Sequence, residues 1–298
     1  MAHSDPIEWW YWTGHLQDEA GNWHGYQFSL IYLPDIGGGI PLQSVNFAIT
    51  DIARQEFLFT ESHVFLKPVN KPDSISLDVN DLSAHGKNGT DYLTGKVASY
   101  ALDLTLISQK PPVFQYTVGY IDYPFGGNTY YYSRERMKTT GTLKRNNETL
   151  TVEGTSWFDH QWGDQAANGG KIVGWDWFAI QLDDWREIMV FRLRDAEGNA
   201  VFGGGSYTDE LCHTTELAAT DFTLNSSGTW ESQAKSGCFY PSGWSVSVQG
   251  MTLNLTAAVD EQELNIPGTA PYWEGAATVS GSAQGRAYIE MTGYCHAN

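Results

Sequence analysis

Ala101-Leu102-Asp103-Leu104-Thr105-Leu106-Ile107-Ser108 places a leucine at every second position, with Asp103 and Thr105 between them. Side chains of an extended chain point to opposite faces in turn, so this run reads as a strand with one apolar face. The same period of two recurs in Trp244-Ser245-Val246-Ser247-Val248 and in Leu253-Asn254-Leu255-Thr256. Turn-forming clusters separate such runs: Ala20-Gly21-Asn22, Lys87-Asn88-Gly89, Gly126-Gly127-Asn128 and Glu197-Gly198-Asn199. No stretch holds a helical period beyond a turn or two. The expected fold is all-β.

A chain of 298 residues suits two domains of about 150 residues each. A weak internal repeat points the same way. Trp10-Tyr11-Trp12 leads through Leu16-Gln17-Asp18 into the run 26–33, and Trp175-Asp176-Trp177 leads through Gln181-Leu182-Asp183 into 188–193. The spacing between the first tryptophans of the two copies is 165 residues, near half the chain. Two like halves are therefore expected, 1–165 and 166–298, joined near Asn168-Gly169-Gly170, with Trp10 and Trp175 at equivalent positions. Antiparallel barrels leave few sheet edges exposed and are the expected form of each half.

Composition excludes several classes of function. The formal net charge is −18, and no basic cluster offsets it, so nucleic acid and anionic membranes are repelled. No run of about 18 apolar residues is present to span a bilayer. The first residues, Met1 to Pro6, are neither basic nor apolar; a cytosolic protein, or one whose signal peptide has been removed, is expected. Of the three cysteines, Cys212 and Cys238 are the expected disulfide pair, because they lie in one half. There is no HExxH or HxH pair, no GxSxG elbow and no glycine-rich phosphate loop, so neither metal nor cofactor is expected. Aromatic residues make up 14% of the chain, more than two cores of this size need.

Four segments concentrate the candidate chemistry: Glu8-Trp9-Trp10-Tyr11-Trp12; Trp157-Phe158-Asp159-His160-Gln161-Trp162-Gly163; Trp175-Asp176-Trp177-Phe178; and Tyr272-Trp273-Glu274-Gly275, followed by Tyr288-Ile289-Glu290-Met291-Thr292-Gly293-Tyr294. In this order, across nearly the whole chain, they resemble the lipocalin-like family that includes carotenoid 1,2-hydratase (hydroxyneurosporene synthase) and secreted relatives encoded beside ABC transporters. The resemblance implies two lipocalin-like barrels with ligand held between or inside them. It also implies a periplasmic or secreted location. The chain departs from the carotenoid-hydratase branch in the strand 175–182, where that branch carries a tyrosine–aspartate pair and this chain has Trp175-Asp176-Trp177 and Gln181. Carotenoid hydration in particular is therefore not implied.

The residues themselves are compatible with chemistry at an isolated alkene, which needs a proton donor in a dry site and π-faces for the cation formed. An aspartate buried among tryptophans has its pKa raised by desolvation and becomes a usable acid. Aromatic faces attract a cation by roughly 0.5–2 kcal/mol each. Asp159, His160 and Asp176 are the candidate catalytic residues. Trp10, Trp12, Trp157, Trp162, Trp175, Trp177, Gln181 and Trp273 are the candidate ligand-binding set. Each has a plainer reading: the tryptophans as packing, Asp159 as a turn hydrogen-bonder, His160 as a satisfied core histidine. In an extended strand His160 and Trp162 face one side while Trp157 and Asp159 face the other, so all four meet only if the chain bends, as Gly163 would allow. Two functions fit: a cofactor-free hydratase, cyclase or isomerase for a bulky isoprenoid or polyene, and a non-catalytic carrier of a hydrophobic small molecule serving a transporter.

Overall fold

The computed structural model describes residues 2–69, 73–164, 172–233, 237–266 and 269–295. The expected joint at Asn168-Gly169-Gly170 lies outside them. Apart from one turn of 3-10 helix at Ile52–Arg54 and a single helical turn at Tyr116–Gly119, the described regular structure is strand.

The first sheet is built from β1 (Ile7–Asp18), β2 (Trp23–Leu33), β3 (Leu42–Asp51), β4 (Glu56–Val64), β5 (Ser74–Val79), β6 (Leu82–Lys87), β7 (Thr90–Val97), β8 (Tyr100–Ser108), β9 (Val113–Phe114), β10 (Tyr120–Asp122), β11 (Asn128–Arg145) and β12 (Glu148–Asp164). Its order is β4-β3-β2-β1-β12-β11-β8-β7-β6-β5, antiparallel throughout, with β9 and β10 both pairing with β11. The second half contains β13 (Gly174–Leu182), β14 (Glu187–Arg194), β15 (Ala200–Thr208), β16 (Thr214–Ala218), β17 (Phe222–Ser227), β18 (Trp230–Glu231), β19 (Phe239–Tyr240), β20 (Gly243–Val248), β21 (Met251–Ala257), β22 (Glu263–Leu264), β23 (Tyr272–Gly281) and β24 (Gly285–Met291). Its main path is β16-β15-β14-β13-β24-β23-β21-β20-β17, while β18 and β19 form a separate ribbon. In both sheets four sequential strands lead to a partner from the far end of the same half: β1 meets β12, and β13 meets β24. The halves are two nearly closed, lipocalin-like antiparallel barrels.

The strands form where the period of two lies. In β8, Leu102, Leu104 and Leu106 are buried and enter the first core, while Asp103 is exposed. In β20, Trp244, Val246 and Val248 enter the second. The turn between β6 and β7 holds Asn88 and Gly89 at φ 52° and 79°, the left-handed pair that a two-residue hairpin requires.

The chain divides into two compact units: 1–114, 119–122 and 127–166 in one; 115–118, 123–126 and 167–298 in the other. The second unit thus includes two four-residue pieces that precede β11. Tyr116 of the first piece stacks on Phe202 of β15, with ring centres 5.9 Å apart, and its hydroxyl donates to the Gly203 carbonyl at 3.1 Å. Tyr123 of the second piece packs edge-on to the same ring.

Two expectations are corrected. The disulfide joins Cys238 to Cys295, and Cys212 is free and exposed. It closes onto the short β19 ribbon beside the end of the chain, where Cys238 and Cys295 also form an isolated bridge. Nor do Trp10 and Trp175 occupy equivalent places. Trp10 lies in the first core, whereas Trp175 is 40% exposed and the core-facing residues of β13 are Phe178, Ile180 and Leu182. Side chains alternate along a strand, so an odd spacing of 165 sets a core residue against an outward one. A spacing of 166 sets Trp12 against Phe178 and Leu16 against Leu182, core against core.

Candidate functional site

Strand β12 passes between β1 and β11, and each of its two faces carries one group of candidate residues. On the core-facing side lie Phe158, His160 and Trp162; on the other lie Trp157, Asp159 and Gln161. Gly163 does depart from ordinary strand geometry, with φ +147° and room so close to the Asn128 carbonyl that a Cβ would sit 2.3 Å from it. It lies beyond both residues, however, and His160 and Asp159 remain on opposite faces.

On the outward face, Asp159 stands across from Ser133 of β11 and Tyr11 of β1. A barrel's outer face ordinarily meets water, yet Tyr11, Tyr131, Ser133, Trp157 and Asp159 are all buried, Asp159 to 3% exposure. The Tyr131 hydroxyl donates to Oδ2 of Asp159 at 2.9 Å, and the Trp157 indole N–H donates to Oδ1 at 2.8 Å. Ser133 adds a further hydrogen bond. Burial pushes the carboxyl up from 3.8 to about 7, and the three hydrogen bonds, which favour the ionised form, only partly oppose it. Near neutral pH the group is thus divided between acid and carboxylate. Sequence reasoning named Asp159 and Trp157 but missed Tyr131 and Ser133; period-two spacing on β11, once paired with β12, is the signal that places them there.

On the core-facing side, at the end of the first barrel, His160 Nε2 lies 2.7 Å from Oε1 of Glu8. The N-terminal segment folds back so that His3 Nδ1 lies 2.8 Å from the same oxygen, and the His3 backbone N–H donates to Oε2 at 2.7 Å. Trp162 stacks on His3, centres 4.1 Å apart and planes within 4°, while Trp10 stacks on His160 at 5.0 Å. Tyr132 meets His160 edge-on. Burial alone raises the Glu8 carboxyl, but the hydrogen bonds from His160 and His3 outweigh it and the net shift is downward. Burial pulls His160 down to about 4, against the opposing pull of Glu8. Glu8 lay in the first of the four motif segments but was not named as a site residue, and His3 lay in none, because the three residues come together from positions 3, 8 and 160.

Deeper in the same barrel, Arg134 of β11 stands across from core-facing Phe158 and so points inward, and the register shift that follows it brings Met137 to the same face. Arg134 ion-pairs with Asp91 and lays its guanidinium 4.1 Å above the Phe158 ring. Trp12 donates to the same carboxylate at 2.8 Å. Trp12 is therefore a core residue with a polar anchor.

The remaining candidates scatter. Asp176, fully buried, accepts from Arg192 at 2.7 Å, Arg194 at 3.1 Å and the Tyr294 hydroxyl at 2.7 Å. Both its oxygens are engaged in tying β13 to β14 and to the C-terminal segment. Trp273 is packed in the second core and donates to the Asp260 carbonyl at 2.6 Å. Trp177 and Gln181 are buried on the outward face of β13, and Trp175 is exposed on it.

The chain thus combines two lipocalin-like barrels with a buried titratable carboxyl among aromatic side chains. The chain belongs to the AttH-like family, whose profile matches residues 1–294. Among solved structures, it is similar to an AttH-type protein of Nitrosomonas europaea, at 25% identity and TM-score 0.89, covering 98% of this chain and 94% of that one. It shares its fold with kievitone hydratase of Nectria haematococca, at 17% identity and TM-score 0.79, covering 96% and 88%. It also shares the fold of CghA in complex with Sch210972, at 11% identity and TM-score 0.61, covering 98% and 90%. No curated protein gives a significant match.

Proposed function

We propose that this protein is an acid–base enzyme of hydratase or cyclase type, acting on a carbon–carbon double bond of a bulky apolar ligand, with Asp159 as the acid. The observation that carries the reading is the Asp159 carboxyl itself, buried and raised to about 7 on a face where barrel residues usually meet water. A catalytic acid works best when its pKa lies near the working pH. Protonation breaks the Asp159 O–H bond and forms a C–H bond at one alkene carbon, leaving positive charge on the other. The rings of Trp157 and Tyr131 flank the acid and supply π-faces to that charge. Water closes the sequence in a hydration, losing its proton to the Asp159 carboxylate; in a cyclisation a second double bond attacks the cation, forming a C–C bond and a new cation, which loses a neighbouring C–H proton to the Asp159 carboxylate. The three hydrogen bonds hold the carboxylate between turnovers. The likeness to kievitone hydratase supports the hydratase form. The Cys238–Cys295 disulfide supports an oxidising compartment, periplasmic or extracellular, as the place of action.

The test begins with mass spectrometry of apolar molecules that co-purify with the protein, followed by incubation with prenylated and polyene candidates of the same class. Wild type should release a product heavier by one water, or an isomer. Its kcat/KM should fall about tenfold per pH unit above pH 7, as the acid is lost. Asp159→Asn should bind the same ligand and release nothing. A ligand bound tightly and returned unchanged by wild type would make the protein a carrier.

A further inference from the structure

The geometry points to a divalent metal site, of the zinc class, formed by His3, Glu8 and His160 at the end of the first barrel. One donor atom from each residue lies within 4.8 Å of the others, and both imidazoles face the same carboxylate oxygen. Two histidines and one carboxylate are a recurrent donor set for zinc, with a fourth position left to water or substrate.

Three features favour a cation over a merely hydrogen-bonded cluster. Glu8 is fully buried, and its ion-pair partners among the described residues are these two imidazoles, with no arginine or lysine. A buried carboxylate without a lasting cationic partner is costly, and a bound cation removes that cost. Second, the ligands are already oriented. Oε2 of Glu8 is held by the His3 backbone N–H, while Trp162 and Trp10 fix the planes of the two rings. Outer contacts of this kind set ligand geometry in metal sites. Third, the cluster borders solvent at one side, since the His3 side chain is 32% exposed while Glu8 is buried. The present contacts of 2.7 and 2.8 Å suit protons shared between the groups; a metal needs both imidazole nitrogens to part from the Glu8 oxygen by a few tenths of an ångström.

The inference is independent of the proposed acid, since Asp159 lies on the opposite face of β12. The full chain, stripped with a chelator and dialysed, would be titrated with Zn2+ in competition with a chromophoric chelator, and with Co2+ to read the visible d–d bands. One equivalent per chain is expected, with Co2+ bands of a nitrogen–oxygen site. Glu8→Gln and His3→Ala should each weaken binding at least tenfold, and Asp159→Asn should leave it unchanged. His3→Ala alters a partly exposed residue ahead of the first strand, so it reports even if Glu8→Gln fails to fold. Absence of stoichiometric binding would overturn the site. So would binding that survives His3→Ala undiminished, or that disappears instead with His213→Ala, a change at an exposed surface histidine.

Discussion

Replacing Asp159 by Asn should change how the stability of the protein depends on pH, and the size of the change follows from the burial of that carboxyl. The group titrates near 7 in the folded protein, against 3.8 for the free residue. A carboxyl whose pKa is raised by folding holds its proton more tightly when folded. Its contribution to stability is therefore complete below 3.8 and is lost as pH rises through 7. Between about pH 4.5 and about pH 8 the loss amounts to about 3 kcal/mol, at roughly 1.4 kcal/mol per tenfold change in proton affinity. Asn keeps the shape of Asp and carries no titrating proton, so this loss disappears. Urea unfolding of both proteins, followed by tryptophan fluorescence at the two pH values, isolates the group, because every other titration cancels in the difference. The variant should gain about 3 kcal/mol relative to wild type on going from the lower pH to the higher. A difference between the two proteins that stays constant with pH would refute a raised Asp159 and remove the foundation of the proposed acid.

Further outcomes follow from neighbouring contacts. Arg134→Met leaves Asp91 buried without its cation and should cost about 3–5 kcal/mol in chemical denaturation, much of it recovered by adding Asp91→Leu. Trp12→Ala should cost about 3–5 kcal/mol as a fully buried aromatic, Trp162→Ala clearly less, and Trp175→Ala little, read by thermal unfolding of the three variants. Reduction of the Cys238–Cys295 bond, which spans 57 residues of sequence, should lower stability by about 4 kcal/mol on the chain-entropy account. Cys212→Ser should leave both the stability and the response to reductant unchanged.

The strands were legible because period two is imposed by the pleat itself: Leu102, Leu104 and Leu106 had only one way to share a face. The same rule foretold that Asp159 and His160 would part, and no bend at Gly163 reunited them. What the sequence concealed were partnerships across long separations. Tyr131 and Ser133 reach Asp159 only after β11 and β12 pair, and the bulge after Arg134 sets which residues of β11 turn inward. His3 and Glu8 reach His160 from the opposite end of the half. Local spacing carries no record of such meetings. The disulfide was misassigned for a related reason: Cys238 pairs with a residue beyond β24, and proximity along the chain says little about which ends a barrel brings together. Trp175 shows the limit of matching words between repeats, since a shift of one residue exchanges inside for outside.

The two four-residue pieces that Gln115–Val118 and Tyr123–Gly126 contribute to the second unit bear on how the gene can be cut. A fragment beginning at residue 167 would carry every strand of the second sheet and still lack the Tyr116 ring that lies on Phe202, the hydroxyl that caps the Gly203 carbonyl, and the Tyr123 edge beside them. Its β14–β15 surface would present Phe191 and Phe202 to water, an invitation to self-association. The second unit is thus not one continuous stretch of sequence, and a cut at residue 167 leaves part of it behind.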